Sequence, residues 1–327
     1  MKKILIIGGA GYVGTSLSNK LLEFNNEITV YDLFIFGNNI NKSKKINFIN
    51  SDVRDIENIS KYIDSDTEVI HLACISNDPS FELDPILGKD INFTFFEPLV
   101  KICKDKGVKK FIYASSSSVY GIKEHNNVIE TDKLEPISDY SKFKAKCEDI
   151  LIKHSNKEFK SIIIRPATVC GFSPRQRLDL IVNILVNNAI INKKIKIFGG
   201  KQLRPNLHID DMVNSYVYFL NDHIMENNFE IYNVGFENHS VEDLAKITAQ
   251  TLNNNISFEY IKTNDDRSYH INSDKILKKT LFKPQKTIQD AILDLEMAFK
   301  KNLFKDSLNN KMYFNIKITK EFFLAKK

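Results

Sequence analysis

Apolar positions along the first two-thirds of the chain fall into two alternating patterns. Short uninterrupted β-branched and aliphatic runs recur at 4–7, 27–31, 46–49, 68–72, 110–114 and 160–165. Runs of that kind suit strands buried on both faces of a parallel sheet. Between them, longer stretches place apolar residues three and four apart and predict helices over 12–24, 55–63, 85–106 and 139–156. This alternation predicts an α/β fold, a doubly wound parallel sheet with helices on both faces. From residue 171 the rhythm changes. A helix is expected over 178–191, a short strand over 195–198 before Gly199-Gly200, a helix over 210–220 and a core strand over 230–234. The remainder reads as helix-rich, which predicts a smaller C-terminal unit. The expected division gives 1–170, with about 206–235, to one domain and 171–205 with 236–327 to the other. The polar, lysine-rich tail from Asp306 either wraps the surface or is mobile.

At 327 residues the chain can bury a large core. No apolar run approaches the roughly 20 residues that span a bilayer, so no membrane partner is expected. Met1-Lys2-Lys3 before the first apolar run imitates a secretion signal. The run is too short, however, and passes straight into a glycine loop without a cleavage site. A cytoplasmic protein is therefore expected. Cys74, Cys103, Cys147 and Cys170 are widely spaced and read as reduced thiols, and the seven histidines show no ligand spacing. No metal is expected. The net charge of +5 comes from dispersed lysines, which argues against nucleic-acid binding. More telling is the excess of forty lysines over six arginines. Where lysine is the default cation, an arginine suggests a site needing a planar two-toothed fork. Arg175, Arg177, Arg204 and Arg267 cluster in the region where a diphosphate is then expected.

The first strand ends in Gly8-Gly9-Ala10-Gly11-Tyr12-Val13-Gly14, and Asp32 closes the second. The glycines allow a tight turn and a close backbone approach to a pyrophosphate, which the helix opening at Tyr12 and Val13 faces with its amino terminus. Asp32 can accept hydrogen bonds from both ribose hydroxyls and would repel a 2′-phosphate. Strand, glycine triplet, helix, strand and acid in register form the Rossmann-type dinucleotide fingerprint and predict NAD rather than NADP.

The strand over 110–114 runs into Ser115-Ser116-Ser117-Ser118-Val119-Tyr120-Gly121, and Tyr140-Ser141-Lys142-Phe143-Lys144 follows on a predicted helix. A Tyr-x-x-x-Lys spacing puts both side chains on one helix face. An ammonium beside the phenol favours its ionised form and lowers a pKa of about 10. Such a phenolate can take a proton from a sugar hydroxyl. The spacing alone is weak, because a second copy, Tyr313 to Lys317, occurs in the tail without a serine-tipped strand before it.

In combination these motifs resemble the extended short-chain dehydrogenases/reductases, in particular the NAD-dependent epimerase/dehydratase family that includes UDP-galactose 4-epimerase. The resemblance runs from residue 2 to about 300. It implies phosphate-loop roles for Gly8, Gly11 and Gly14, a ribose-binding Asp32 and an adenine-contacting pair Asp52-Val53. Leu72 and Ala73, in His71-Leu72-Ala73-Cys74, would lie beside the cofactor, with Asn92 near the strand ends. Ser116, Tyr140 and Lys144 fall on the catalytic positions. Pro166 and Thr168, in Arg165-Pro166-Ala167-Thr168-Val169-Cys170-Gly171, would lie along the nicotinamide and the substrate. Arg204 and Arg267 match arginines that bind a sugar nucleotide's diphosphate. Arg175 and Arg177 either reach the substrate or support the following helix.

The departures are informative. The family's 4,6-dehydratases carry Asp-Glu directly after the catalytic Ser/Thr, whereas this chain has Ser117-Ser118, which would instead line the substrate pocket. Thr168 replaces an asparagine of UDP-galactose 4-epimerases. The long acidic loop over 75–83 is expected to help line the sugar pocket, and it resembles a branch of surface-polysaccharide enzymes that includes nucleotide-heptose 4-dehydrogenases. The implied activity is epimerisation of a nucleotide sugar, at C4, through a transient 4-keto sugar and with NAD held throughout. Net oxidation or reduction at C4 uses the same residues and stays open. A non-catalytic dinucleotide-binding protein is the reading from another class, disfavoured by the intact Tyr140 and Lys144. A homodimer is expected through the helices over 85–106 and 139–156. Phe93, Phe95, Phe96, Leu99 and Ile102 are either interface or core.

Overall fold

In the computed structural model, the structure describes residues 1–327 except 222, 254, 264–267 and 325–327. The aliphatic runs become parallel strands: β1 (Lys2–Ile7), β2 (Asn26–Asp32), β3 (Ile46–Asn50), β4 (Thr67–His71), β5 (Lys110–Ala114) and β6 (Lys160–Pro166). β7 (Thr168–Cys170), β8 (Lys194–Phe198), β9 (Leu203–His208), β10 (Phe229–Val234), β11 (Glu237–Ser240) and β12 (Ser257–Ile261) follow. The main sheet has the order β10-β6-β5-β4-β1-β2-β3, every pairing parallel. Strand order reverses between β1 and β4, so the loops leaving Ile7 and His71 diverge. A crevice opens at that switch point.

Burial on both faces explains the missing hydrophobic alternation. Ile4, Ile6, Val30, Ile70, Ile112 and Ile162 pack on one face with Leu17, Met212 and Phe219. Leu5, Ile7, Tyr31, Val69, Phe111 and Ile163 pack on the other with Phe96, Leu99 and Leu151. A third core, around Val182, Leu185, Ile195, Ile197, Leu244 and Leu295, belongs to the second lobe. There β7, β9 and β11 form a small mixed sheet and β8 pairs with β12.

The helix Asp139–His154 starts where Ser138 Oγ accepts the Ser141 N–H at 3.2 Å and carries Lys153 and His154 in its last turn, both favourable to the helix dipole. The helix expected over 55–63 is a short turn, Ile56–Ser60. The one expected over 85–106 is interrupted: Pro85–Lys89 and Phe96–Asp105 flank a π-helical segment, Asp90–Thr94. Phe95, Phe96 and Leu99 are core residues, and Phe93 stacks on Phe143 with ring centres 5.1 Å apart. Among the described residues no helix is long and apolar enough to cross a membrane.

The tail wraps. Asn187 and Ser307 exchange hydrogen bonds, the Leu178 N–H donates to the Tyr313 carbonyl at 2.9 Å, and the helix Asn315–Thr319 leads Phe323 onto the core of the first lobe.

Candidate functional site

A cleft of about 560 Å³ lies at the switch point, floored by the strand ends of the main sheet and walled by the second lobe. Gly8 turns the chain out of β1 at φ +82, and its N–H donates to the Tyr31 carbonyl at 2.8 Å. A Cβ on Gly8 would lie 2.4 Å from the Ala73 nitrogen, and one on Gly14 would lie 2.6 Å from the Gly8 carbonyl oxygen. Both positions therefore require glycine, and the backbone between them faces the cleft. Tyr12 begins the helix Tyr12–Leu21 and donates its phenol proton to the Gly171 carbonyl at 2.7 Å, tying the phosphate loop to the second lobe.

Asp32 stands at the end of β2, where its Oδ2 accepts the Ala10 N–H at 2.9 Å and its Oδ1 the Phe34 N–H at 2.8 Å. Burial pushes its carboxyl up, while those N–H groups and Arg175 pull it down. Val13, Val53, Leu72 and Ala73 line the cleft beside it. Two expected cofactor residues do other work. The Asp52 carboxylate is gripped by the Arg54 guanidinium, at 2.9 Å from Nε and 2.6 Å from Nη2, so Val53 rather than Asp52 faces the cleft. Asn92 is buried and spends its amide on one backbone unit: Oδ1 accepts the Ile75 N–H at 2.8 Å and Nδ2 donates to the Ile75 carbonyl at 3.0 Å. It clamps the loop after β4 instead of offering a free group.

Tyr140 and Ser115–Ser118 line the same cleft. Ser116 Oγ lies 2.8 Å from Ser118 Oγ and accepts the Ser118 N–H at 3.2 Å, which fixes the serine turn. Beneath it, Ser115 donates to Glu148, whose carboxylate is bound by Arg165 at 2.6 Å. Arg165 also donates to the Tyr120 hydroxyl at 2.8 Å, and Tyr120 donates to Asn233 at 2.6 Å. Lys144 is buried under Tyr140, donates from Nζ to the Ala114 carbonyl at 2.6 Å, and sits 5.8 Å from the Tyr140 ring centre. The expected acidification of Tyr140 is opposed by its surroundings in the protein: burial drives its phenol well above its ordinary value, Cys74 and Asp78 add to that, and Arg177 opposes it. The Lys144 ammonium donates to the carbonyl at the end of β5. Its charge is felt instead by His71, pushed down to about 3 by burial first and Lys144 second.

The opposite wall carries Pro166, Thr168, Arg175, Arg177 and Arg204. Arg204 donates to the Leu203 carbonyl at 2.8 Å, stacks over Tyr269 and also borders a second cleft of about 400 Å³ lined by Ile184, Asn188, Phe198 and Gln202. Arg267 lies outside the described residues. The Tyr313–Lys317 copy serves no such site: Lys317 sits over the Phe314 ring. Among the described residues one histidine meets two acids in a metal-sized cluster, His208 with Asp294 at 3.1 Å and Asp210 at 3.8 Å. Lys286 already pairs with both acids there, at 2.8 and 3.2 Å. The loop over 75–83, expected to line the sugar pocket, brings Ser76 and Asp78 to the main cleft, with a helix starting at Asn77, which accepts the Ser80 N–H at 3.0 Å. Sequence reasoning missed Phe36, Asp179, Asn315, Thr319 and Phe323, which also line it.

The glycine cradle, the acid at the end of β2 and the serine, tyrosine and lysine around one cleft coincide with a family model spanning residues 4–235, described as the NAD dependent epimerase/dehydratase family. The chain belongs to that family. Its cofactor is accordingly NAD, and the cradle and Asp32 fit a dinucleotide's diphosphate and ribose. Among curated relatives, a UDP-glucose 4-epimerase of Lactobacillus helveticus is 27% identical over 71% of this chain and 76% of its own length. A dTDP-D-glucose 4,6-dehydratase of Dictyostelium discoideum is 32% identical over 76% of this chain and 62% of its own. The fold is shared with a UDP-N-acetylglucosamine 4-epimerase from Methanobrevibacter ruminantium M1, at TM-score 0.83 and 23% identity, over 92% of this chain and 99% of that one.

Proposed function

We propose that this family member epimerises a nucleotide-diphosphate sugar at C4. The observation that carries the reading is that Ser116 and Tyr140 share one cleft with the glycine cradle, Asp32 and Arg204, with Lys144 buried beside the Tyr140 ring. NAD, when bound along Gly8, Gly11, Gly14 and Asp32, supplies reversible oxidation and reduction of the sugar carbon. The chain's own groups handle the proton. Tyr140 takes it from the 4-hydroxyl and returns it, with Ser116 and Ser118 holding the substrate oxygen by hydrogen bonds. Lys144 fixes the tyrosine's wall through its bond to the end of β5. Arg204 lies between the two clefts, so a diphosphate along it would place the sugar in the larger and the base in the smaller.

Dehydration is disfavoured, because the position after Ser116 holds Ser117 and Ser118 where an acid pair would be needed. Burial of the Tyr140 phenol means that proton abstraction depends on charge brought by the ligands. The purified protein, incubated with UDP-, GDP-, CDP- and dTDP-sugars without added NAD, should interconvert C4 epimers of one of them. Products formed only as added NAD is consumed would move the reading to a 4-dehydrogenase. Turnover undiminished in Tyr140→Phe would end it.

The proposal includes a cytoplasmic homodimer working on surface-polysaccharide precursors. It would pair through the helices Phe96–Asp105 and Asp139–His154, where Phe93 and Phe143 stay partly accessible. Light scattering at micromolar concentration showing only monomer would remove the dimer.

A further inference from the structure

Arg175 and Arg177 are both almost fully buried, at 3% and 8% exposure, in the wall of the cleft. Each keeps a guanidinium N–H without an acceptor among the described residues: Nε of Arg175 and Nη2 of Arg177. Arg177 is half-answered by Asp179, 2.9 Å from its Nε, and donates to Ser76 Oγ at 3.3 Å. Among the described residues Arg175 has no carboxylate within ion-pairing distance, although Asp179 and Asp32 lie near enough to favour its charge. Its guanidinium lies 3.5 Å from the centre of the Phe36 ring, and its Nη2 donates to Asn315 Oδ1 at 2.6 Å. Asn315 comes from the C-terminal tail, far beyond the family model's end at residue 235. It is buried, its Nδ2 donates to Ser76 Oγ at 2.7 Å, and its N–H donates to Asp179 Oδ2 at 2.8 Å. One residue thus touches Arg175 directly and both groups that hold Arg177. Thr319 and Phe323, further along the same tail, complete the cleft wall.

We propose that the C-terminal tail is a working part of the site: Asn315 is a positioning residue that aims Arg175 and Arg177 to form a cradle for a diphosphate. A neutral amide suits that task, because a carboxylate at 315 would answer the charge the ligand must answer. Burial, reinforced by Arg177, holds the Arg175 guanidinium down to about 9, as expected of a cation set in place before its counter-ion. The diphosphate belongs either to NAD or to the sugar nucleotide. Stacking on Phe36, close after Asp32, favours the cofactor's.

This inference rests on the reading that the cleft takes two diphosphate-bearing ligands. Its test uses binding, so it fails separately from that reading, which fails on turnover. Full-length Asn315→Asp should melt at or above the wild-type temperature, because it gains an ion pair with Arg175. It should bind NADH (by fluorescence) or UDP (by titration calorimetry) at least tenfold more weakly. A loss confined to NADH assigns the cradle to the cofactor, and a loss confined to UDP assigns it to the substrate. Arg175→Met should show a loss of the same kind, and the double variant should lose less than the two single losses combined, because Asn315 acts partly through Arg175 and partly through Arg177. Unchanged affinity for both ligands in Arg175→Met, or additive losses in the double variant, would overturn the proposal even if Asn315→Asp does not fold.

Discussion

Arg165 and Arg175 leave the same strand-and-loop segment, and both are 3% exposed, yet they stand in opposite electrostatic states. Arg165 lies behind the serine and tyrosine wall and is paired with Glu148, Tyr120 and the Glu130 carbonyl, so its charge is fully answered. Those partners hold its pKa above the ordinary arginine value despite burial. Arg175, on the facing wall, has an aromatic ring and a neutral amide. One wall is finished within the protein, and the other is finished only by an anion. The difference separates scaffold from binding surface more sharply than burial does, because a buried cation without a carboxylate is costly unless something else supplies the charge.

The largest test of that contrast is Tyr140→Phe, which removes the proton carrier from the finished wall. Activity should fall by about 10²–10⁴-fold, the usual contribution of a positioned acid–base group, while NADH binding and melting temperature stay near wild type. Next, Glu148→Ala would turn Arg165 into a second unanswered cation. Unfolding in urea should show a loss of about 3–5 kcal/mol; a smaller loss would mean that Tyr120 and the Glu130 carbonyl suffice. Gly8→Ala forces a Cβ against Ala73 at positive φ, a strain of about 1–3 kcal/mol. It should lower the melting temperature and abolish NADH fluorescence enhancement.

Near neutral pH the smallest expected effect is a pH dependence, which grows as acid is added. His71 is held neutral in the fold, down to about pH 3, against an ordinary value of 6.5. Between those values the unfolded chain binds the extra proton, so stability falls as pH drops from about 6.5 toward 3. Thermal melts across that window should show the slope, and His71→Phe should flatten it.

The cofactor half of the molecule was legible because its signals are local. Aliphatic runs, glycines at the turn, Asp32 closing β2, and Tyr140 and Lys144 on one helix face all act within a few residues of themselves. β7, β9, β11 and β12 were not foreseen. They are three to six residues long and take their shape from partners far away in the chain, such as Arg204 opposite His239. Asp52, expected at the cofactor, is paired with its neighbour Arg54, a competition the motif does not encode. The tail escaped for a similar reason. Its order comes from Asn187, Leu178, Ser76 and Arg175, none of which leaves a mark on residues 306–323.

The π-helical segment before Phe96 has a practical consequence. A π turn accommodates one residue more than a regular α-helix would over the same path. That surplus sets the direction in which Asn92 faces Ile75. Deleting a single residue from 90–94 would let an ordinary helix cover the same path, leaving the flanking turns in place but changing which side chain faces Ile75. The loop after β4 would lose its latch while the flanking core kept its register. Length variants in this segment should therefore alter how the cleft's floor is shaped far more than how well the protein folds.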